Sequence, residues 1–116
     1  MPHLILECSQ TLAHQIDFSV FFKQAYQLLA ESLPTKITSC KGRVIFCDKS
    51  YIGNDFTHNL FIHLTLKILP GRDDTIKAKI TNQLLLNLKH IVNTLNIKQV
   101  SLSVELADLS AHYTKL

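Results

Sequence analysis

The chain is poor in the residues that staple or punctuate structure. Its 116 residues include three glycines, three prolines, three cysteines and no tryptophan. Cys8, Cys40 and Cys47 make an odd count with no Cys-x-x-Cys spacing. That argues against a disulfide framework or a zinc site, and for a reducing compartment. No segment approaches the roughly 18 apolar residues of a membrane span. The first residues lack the basic start and long apolar stretch of a secretory signal. Lysine and arginine form no run and do not interleave with aromatics, so a net charge of +3 does not make a nucleic-acid surface. No glycine-rich phosphate loop, carboxylate cluster or His/Cys metal spacing occurs. The expectation is a cytoplasmic protein that binds neither nucleic acid nor membrane and uses no metal or cofactor.

What the chain does have is hydrophobic content, 47% of its residues. A chain of this length buries about two-thirds of its unfolded surface, enough for one domain over residues 1–116 with a real core. "HLILE" (3–7) and "HLTLK" (63–67) alternate apolar and polar positions, the mark of strands with one buried face. Each is followed by a helical pattern and then another strand. The first helix is expected from Phe18 to Glu31, with Phe18, Phe21, Phe22, Ala25 and Leu29 as its apolar stripe and Asp17 or Ser19 as its cap. Pro34 marks its exit. A strand follows at Arg43–Asp48, and another near Leu60–Ile68. "LPGRDD" (69–74) is the clearest break, where Asp73 or Asp74 caps a second helix. That helix shows Ile76, Ile80, Leu84, Leu88, Ile91 and Leu95 on one face. A last strand alternates Val100, Leu102, Val104 and Leu106.

The order is one βαβ unit used twice. It predicts an α+β fold, a tandem βαβ repeat with a four-stranded mixed sheet and both helices on one face. Yet Val44, Ile45, Phe46 and Cys47 run consecutively, as do Leu60, Phe61 and Ile62. A sheet covered on one face does not need such runs. A second layer does, and another copy of the chain is the simplest supplier.

Pro2 stands directly behind the start methionine, at the edge of the first strand. Proline is tolerated there because a strand's first residue need not donate to the ladder. Removal of Met1 would give it a second meaning: the nitrogen of Pro2 would become a secondary amine, a base rather than an amide.

"MPHLILECS", "GRVIFCD", "FIHLTLKI" and "PGRDDTIKAK" together resemble the tautomerase superfamily, and within it the 5-carboxymethyl-2-hydroxymuconate isomerase family. The likeness runs from residue 1 to about residue 107. It implies a homotrimer whose sheet faces surround a central barrel, with active sites at subunit contacts. It implies a mature chain starting at Pro2, whose nitrogen moves a proton to ketonise an unsaturated hydroxy di- or tricarboxylate. Arg43 and Arg72 are then the substrate-binding residues. Lys41 stands where relatives often carry a second arginine; it keeps the charge and loses the fork, which bears on the substrate more than on the reaction type.

Read without the resemblance, these residues are plainer. Arg72 is a turn residue paired with Asp73 or Asp74, and Lys41 and Arg43 are surface charges. His3, His63 and Glu7 are structural, the histidines bonded to backbone. The cysteines are small apolar residues. Phe46, Tyr51 and Phe61 either wall a pocket or join the core. Two other functions stay open: a tautomerase or hydratase for a simpler acid such as phenylpyruvate, and a non-catalytic small-ligand module in which Pro2 is only an edge proline.

Overall fold

In the computed structural model, which describes residues 1–116, the chain runs β1 (His3–Ser9), α1 (Phe18–Ser32), β2 (Lys41–Cys47), β3 (Leu60–Ile68), α2 (Asp74–Thr94) and β4 (Val100–Asp108). Short 3₁₀ turns at Gln10–His14 and Ile37–Ser39 link the elements of the first half. The sheet order is β2-β1-β3-β4. β1 pairs parallel with β2 and antiparallel with β3, and β3 pairs parallel with β4. This is the four-stranded mixed sheet of a doubled βαβ unit.

The helices form where their ends are satisfied. Asp17 accepts from the backbone N–H of Ser19 at 3.0 Å, and Asp73 from that of Ile76 at 2.9 Å. Each side chain thus meets one of the free donors of a first helical turn. Phe18, Phe21, Ala25 and Leu29 of α1 are buried, as the sequence spacing predicts. In α2 the buried set is Ile80, Leu84, Leu88 and Val92. The face turns by one position at its end, so Val92 goes inward and Leu95, expected in the stripe, is 46% exposed.

Period-two alternation sorts the sheet into two faces. Leu4, Leu6 and Cys8 of β1 and Ile62, Leu64, Leu66 and Ile68 of β3 face the helices in one core cluster of 18 buried residues. β2 begins at Lys41 rather than Arg43, which brings Lys41 into the sheet beside His3. Gly42 falls on the helix side. A Cβ there would lie 2.6 Å from the ring of Phe22 and run into Tyr26 Oη. The close approach of α1 to β2 therefore needs a glycine. Gly42→Ala is expected to lower stability by about 1–3 kcal/mol through overpacking, read as a lower denaturant midpoint; an unchanged midpoint would show that α1 yields.

The opposite face of the sheet is mixed. Ile5, Ile45, Cys47 and Phe61 share it with His3, Glu7, Lys41, Arg43, His63, Thr65, Lys67 and Glu105. Val44 and Phe46 turn to the helix side, where Phe46 meets Phe18 at 6.1 Å between ring centres. The apolar runs thus leave an island on the open face, not a continuous sheet. No helix is long and apolar enough to cross a membrane.

Candidate active site

The N-terminal end of β1 gathers charge of one sign. Pro2 is buried, and its carbonyl accepts from the backbone N–H of Lys41 at 3.0 Å. That bond pins the start of the chain to the start of β2. The row on the open face behind it reads Lys41, His3, Lys67 across three strands. Arg43 stands in the next row, its Nη1 3.2 Å from His3 Nδ1. The carbonyl of Ile68 holds the N–H of Leu109 at 2.7 Å, so the segment after β4 also returns here.

The electrostatics follow from this crowding. The terminal amine is held below its ordinary value, first by desolvation and then by Lys115, Lys41 and Arg72, with Cys40 acting the other way. A positive amine loses hydration here and meets three like charges, so its neutral form is favoured. His3 is likewise pushed down, by desolvation first and then by Arg43, Lys41, the terminus and Lys67.

Arg72 is aimed by the turn before α2. Gly71 takes φ +106°, a conformation that side chains resist. Asp73, the partner that a plain turn residue would want, spends its carboxylate on the helix cap. Neither Asp73 nor Asp74 forms an ion pair with Arg72; the ion pair of this region joins Lys77 to Asp108 at 3.1 Å. The Nε of Arg72 is buried with no hydrogen-bond partner. A buried unmet donor on a charged group costs roughly 1–3 kcal/mol or more. Lys41, Arg72 and the terminus therefore form one group, with Arg43 one row away on His3.

Other expectations are corrected. His3 bonds to Arg43 and Tyr113 and not to backbone; His63 bonds to Ser103 Oγ at 2.7 Å and Glu105 Oε1 at 3.3 Å. Glu7 sits opposite His63 in the sheet yet takes no ion pair. The Cys8 thiol is pushed up to about 11 by burial, which suits an inert core residue. Tyr51 borders a cleft with Ser9 and Cys47, at the other end of β1 from Pro2. Phe61 lies at that end as well, beside Ser9. Sequence reasoning passed over Tyr113, an isolated aromatic in a polar tail, because only the fold brings it to His3.

The doubled βαβ sheet is shared with solved structures, and the family whose model the chain matches makes it a tautomerase-type isomerase. A fused 4-OT wild type symmetric trimer has the same fold, with a TM-score of 0.69 at 18% identity, covering 98% of this chain and 92% of that one. The chain belongs to the 5-carboxymethyl-2-hydroxymuconate isomerase family, whose family model matches residues 2–115. It is similar to the 5-carboxymethyl-2-hydroxymuconate Delta-isomerase of Escherichia coli, at 26% identity over 110 residues, covering 94% of this chain and 87% of the relative. It also shares its fold with a 5-carboxymethyl-2-hydroxymuconate isomerase from Deinococcus radiodurans R1, with a TM-score of 0.84 at 19% identity, covering 98% of this chain and 88% of that one.

Proposed function

We propose that the mature chain starts at Pro2 and ketonises an unsaturated 2-hydroxy di- or tricarboxylate such as 5-carboxymethyl-2-hydroxymuconate. The observation that carries this reading is the start of the chain, where desolvation and then Lys115, Lys41 and Arg72 hold the Met1 amine below its ordinary value. After loss of Met1 the amine moves one residue inward, to the ring nitrogen of a buried proline in the same cationic field. A neutral secondary amine takes the proton of the enol hydroxyl. It returns a proton to the carbon that becomes saturated, so one group acts as base and then acid.

The cations have separate tasks. The Arg72 guanidinium has an unmet buried donor and suits a carboxylate or the oxygen that gains charge during enolisation. Arg43 and Lys41 offer further cationic donors on the open face, Lys41 as a point charge without a fork. A substrate with several carboxylates matches this count better than a simple keto acid does.

In this reading the enzyme is a homotrimer. Tyr51 and Phe56 stack edge-on at 5.0 Å between ring centres and are 67% and 61% exposed, an apolar surface suited to a neighbouring copy. The Escherichia coli relative's name and the trimeric 4-OT fold support the substrate class and the assembly respectively.

The test is an ultraviolet assay of enol ketonisation by untagged protein across pH. The Pro2 amine must be neutral to act as base, and the desolvation and nearby cations that lower the Met1 amine act on its neighbour in the same way in this reading. kcat/KM is therefore expected to rise as pH climbs through a midpoint below the ordinary range of a terminal amine, about 8. A midpoint well above that range, or no turnover of any enol acid, contradicts the assignment.

A further inference from the structure

Tyr113 lies beyond the last strand, yet its Oη is 2.9 Å from His3 Nε2. The two rings meet edge-on, 5.7 Å apart with 79° between their planes. The segment that carries Tyr113 is built: Leu109 is buried, Tyr113 N–H donates to the Ser110 carbonyl at 3.0 Å, and His112 N–H donates to Ser110 Oγ at 3.1 Å. On its other side, His3 Nδ1 is 3.2 Å from Arg43 Nη1.

The chemistry of these partners fixes the proton. A guanidinium has donors and no acceptor, so His3 Nδ1 accepts and is the bare nitrogen. Nε2 then carries the hydrogen and donates to Tyr113 Oη. The phenol's own hydrogen is left free.

We propose that Tyr113 is a positioning residue of the isomerase site: its Oη accepts from Nε2–H and fixes the His3 ring, and His3, through its bare Nδ1, in turn orients the Arg43 guanidinium toward a substrate carboxylate. This rests on the substrate-binding role given to Arg43 above. The relay also explains why His3 must stay neutral. A protonated His3 would turn an N–H toward the N–H of Arg43, and two donors cannot bond. The groups facing His3 are Arg43 and Lys41 from β2, Lys67 from β3, the N-terminus and Tyr113. Three of the five, Arg43, Lys41 and Lys67, are fixed cations and oppose its protonation, together with desolvation. The relay therefore holds at neutral pH and is lost as pH falls through a value below the usual histidine range.

Tyr113→Phe keeps the ring contact and removes the acceptor. It is expected to raise KM for a dicarboxylate enol by about five- to tenfold, the worth of one hydrogen bond, with kcat little changed. In an Arg43→Ala background the same change is expected to have no further effect on KM. Nitrogen NMR of the untagged protein is expected to report the Nε2–H tautomer of His3 in the wild type and in Tyr113→Phe, and mixed tautomers in Arg43→Ala. An equal KM penalty with and without Arg43, or an Nδ1–H tautomer in the wild type, overturns the relay. No turnover of any enol acid by a wild type that still shows the Nε2–H tautomer overturns the isomerase reading instead.

Discussion

A chain that keeps one residue ahead of Pro2 is expected to lose activity by about 10²–10⁴-fold, the usual contribution of a positioned general base. The reason is bonding and not fit. An acylated proline nitrogen is an amide, and its lone pair is delocalised into the carbonyl. Pro2 is buried and tied through its carbonyl to Lys41, so a residue ahead of it leaves the strand in register and takes away only the base. Pro2→Ala in the processed chain is expected to lose less, because a primary amine remains in the same cationic field. The checks are mass measurement of the N-terminus and steady-state rates on matched preparations. Full activity in the extended chain would refute the role of Pro2 and favour a binding module.

Arg72→Ala is expected to lower kcat/KM on the order of a hundredfold, as removal of one preorganised donor does elsewhere. Its effect on folding is expected to be small or favourable. The buried Nε of Arg72 has no partner, and neither neighbouring aspartate pairs with it. Removing an unmet buried donor relieves a desolvation cost instead of breaking a bond. Kinetics and thermal unfolding on one preparation separate the two quantities. A structural arginine would lose both together, and that result would end the assignment. Arg72→Lys keeps the charge and loses the fork, so its rate should fall between the two.

The fold was legible where local rules and tertiary packing agree. Asp17 and Asp73 cap the helices at the positions the sequence marks, and the alternation of 3–7 and 63–67 gives the buried rows of β1 and β3. The βαβ repeat sets strand order because each unit pairs its own strands in parallel. Periodicity failed at Leu95, since the helix face drifts with length and Val92 takes the inward place. Consecutive apolar runs suggest an apolar open face, yet Val44 and Phe46 of one run and Leu60 and Ile62 of the other turn to the helices. Its polar residues are spread over four strands, so no one segment displays the row of Lys41, His3 and Lys67.

The candidate site was legible through resemblance and only faintly through chemistry. Pro2 and Lys41 lie far apart in sequence and meet through one backbone bond. Arg72 looks like a partner for Asp73 until the helix claims that carboxylate. His3 looks like a lone strand histidine, and Tyr113 stands 110 residues away from it. No local pattern encodes a contact across that separation.

The central claim concerns one nitrogen, and it can be titrated directly. Nitrogen-15 NMR of untagged, proline-labelled protein reports the protonation of Pro2. The account predicts a terminal secondary amine whose midpoint lies below about 8, under the ordinary range of chain termini. A tertiary amide signal that does not titrate, or an amine still charged well above that range, would contradict it.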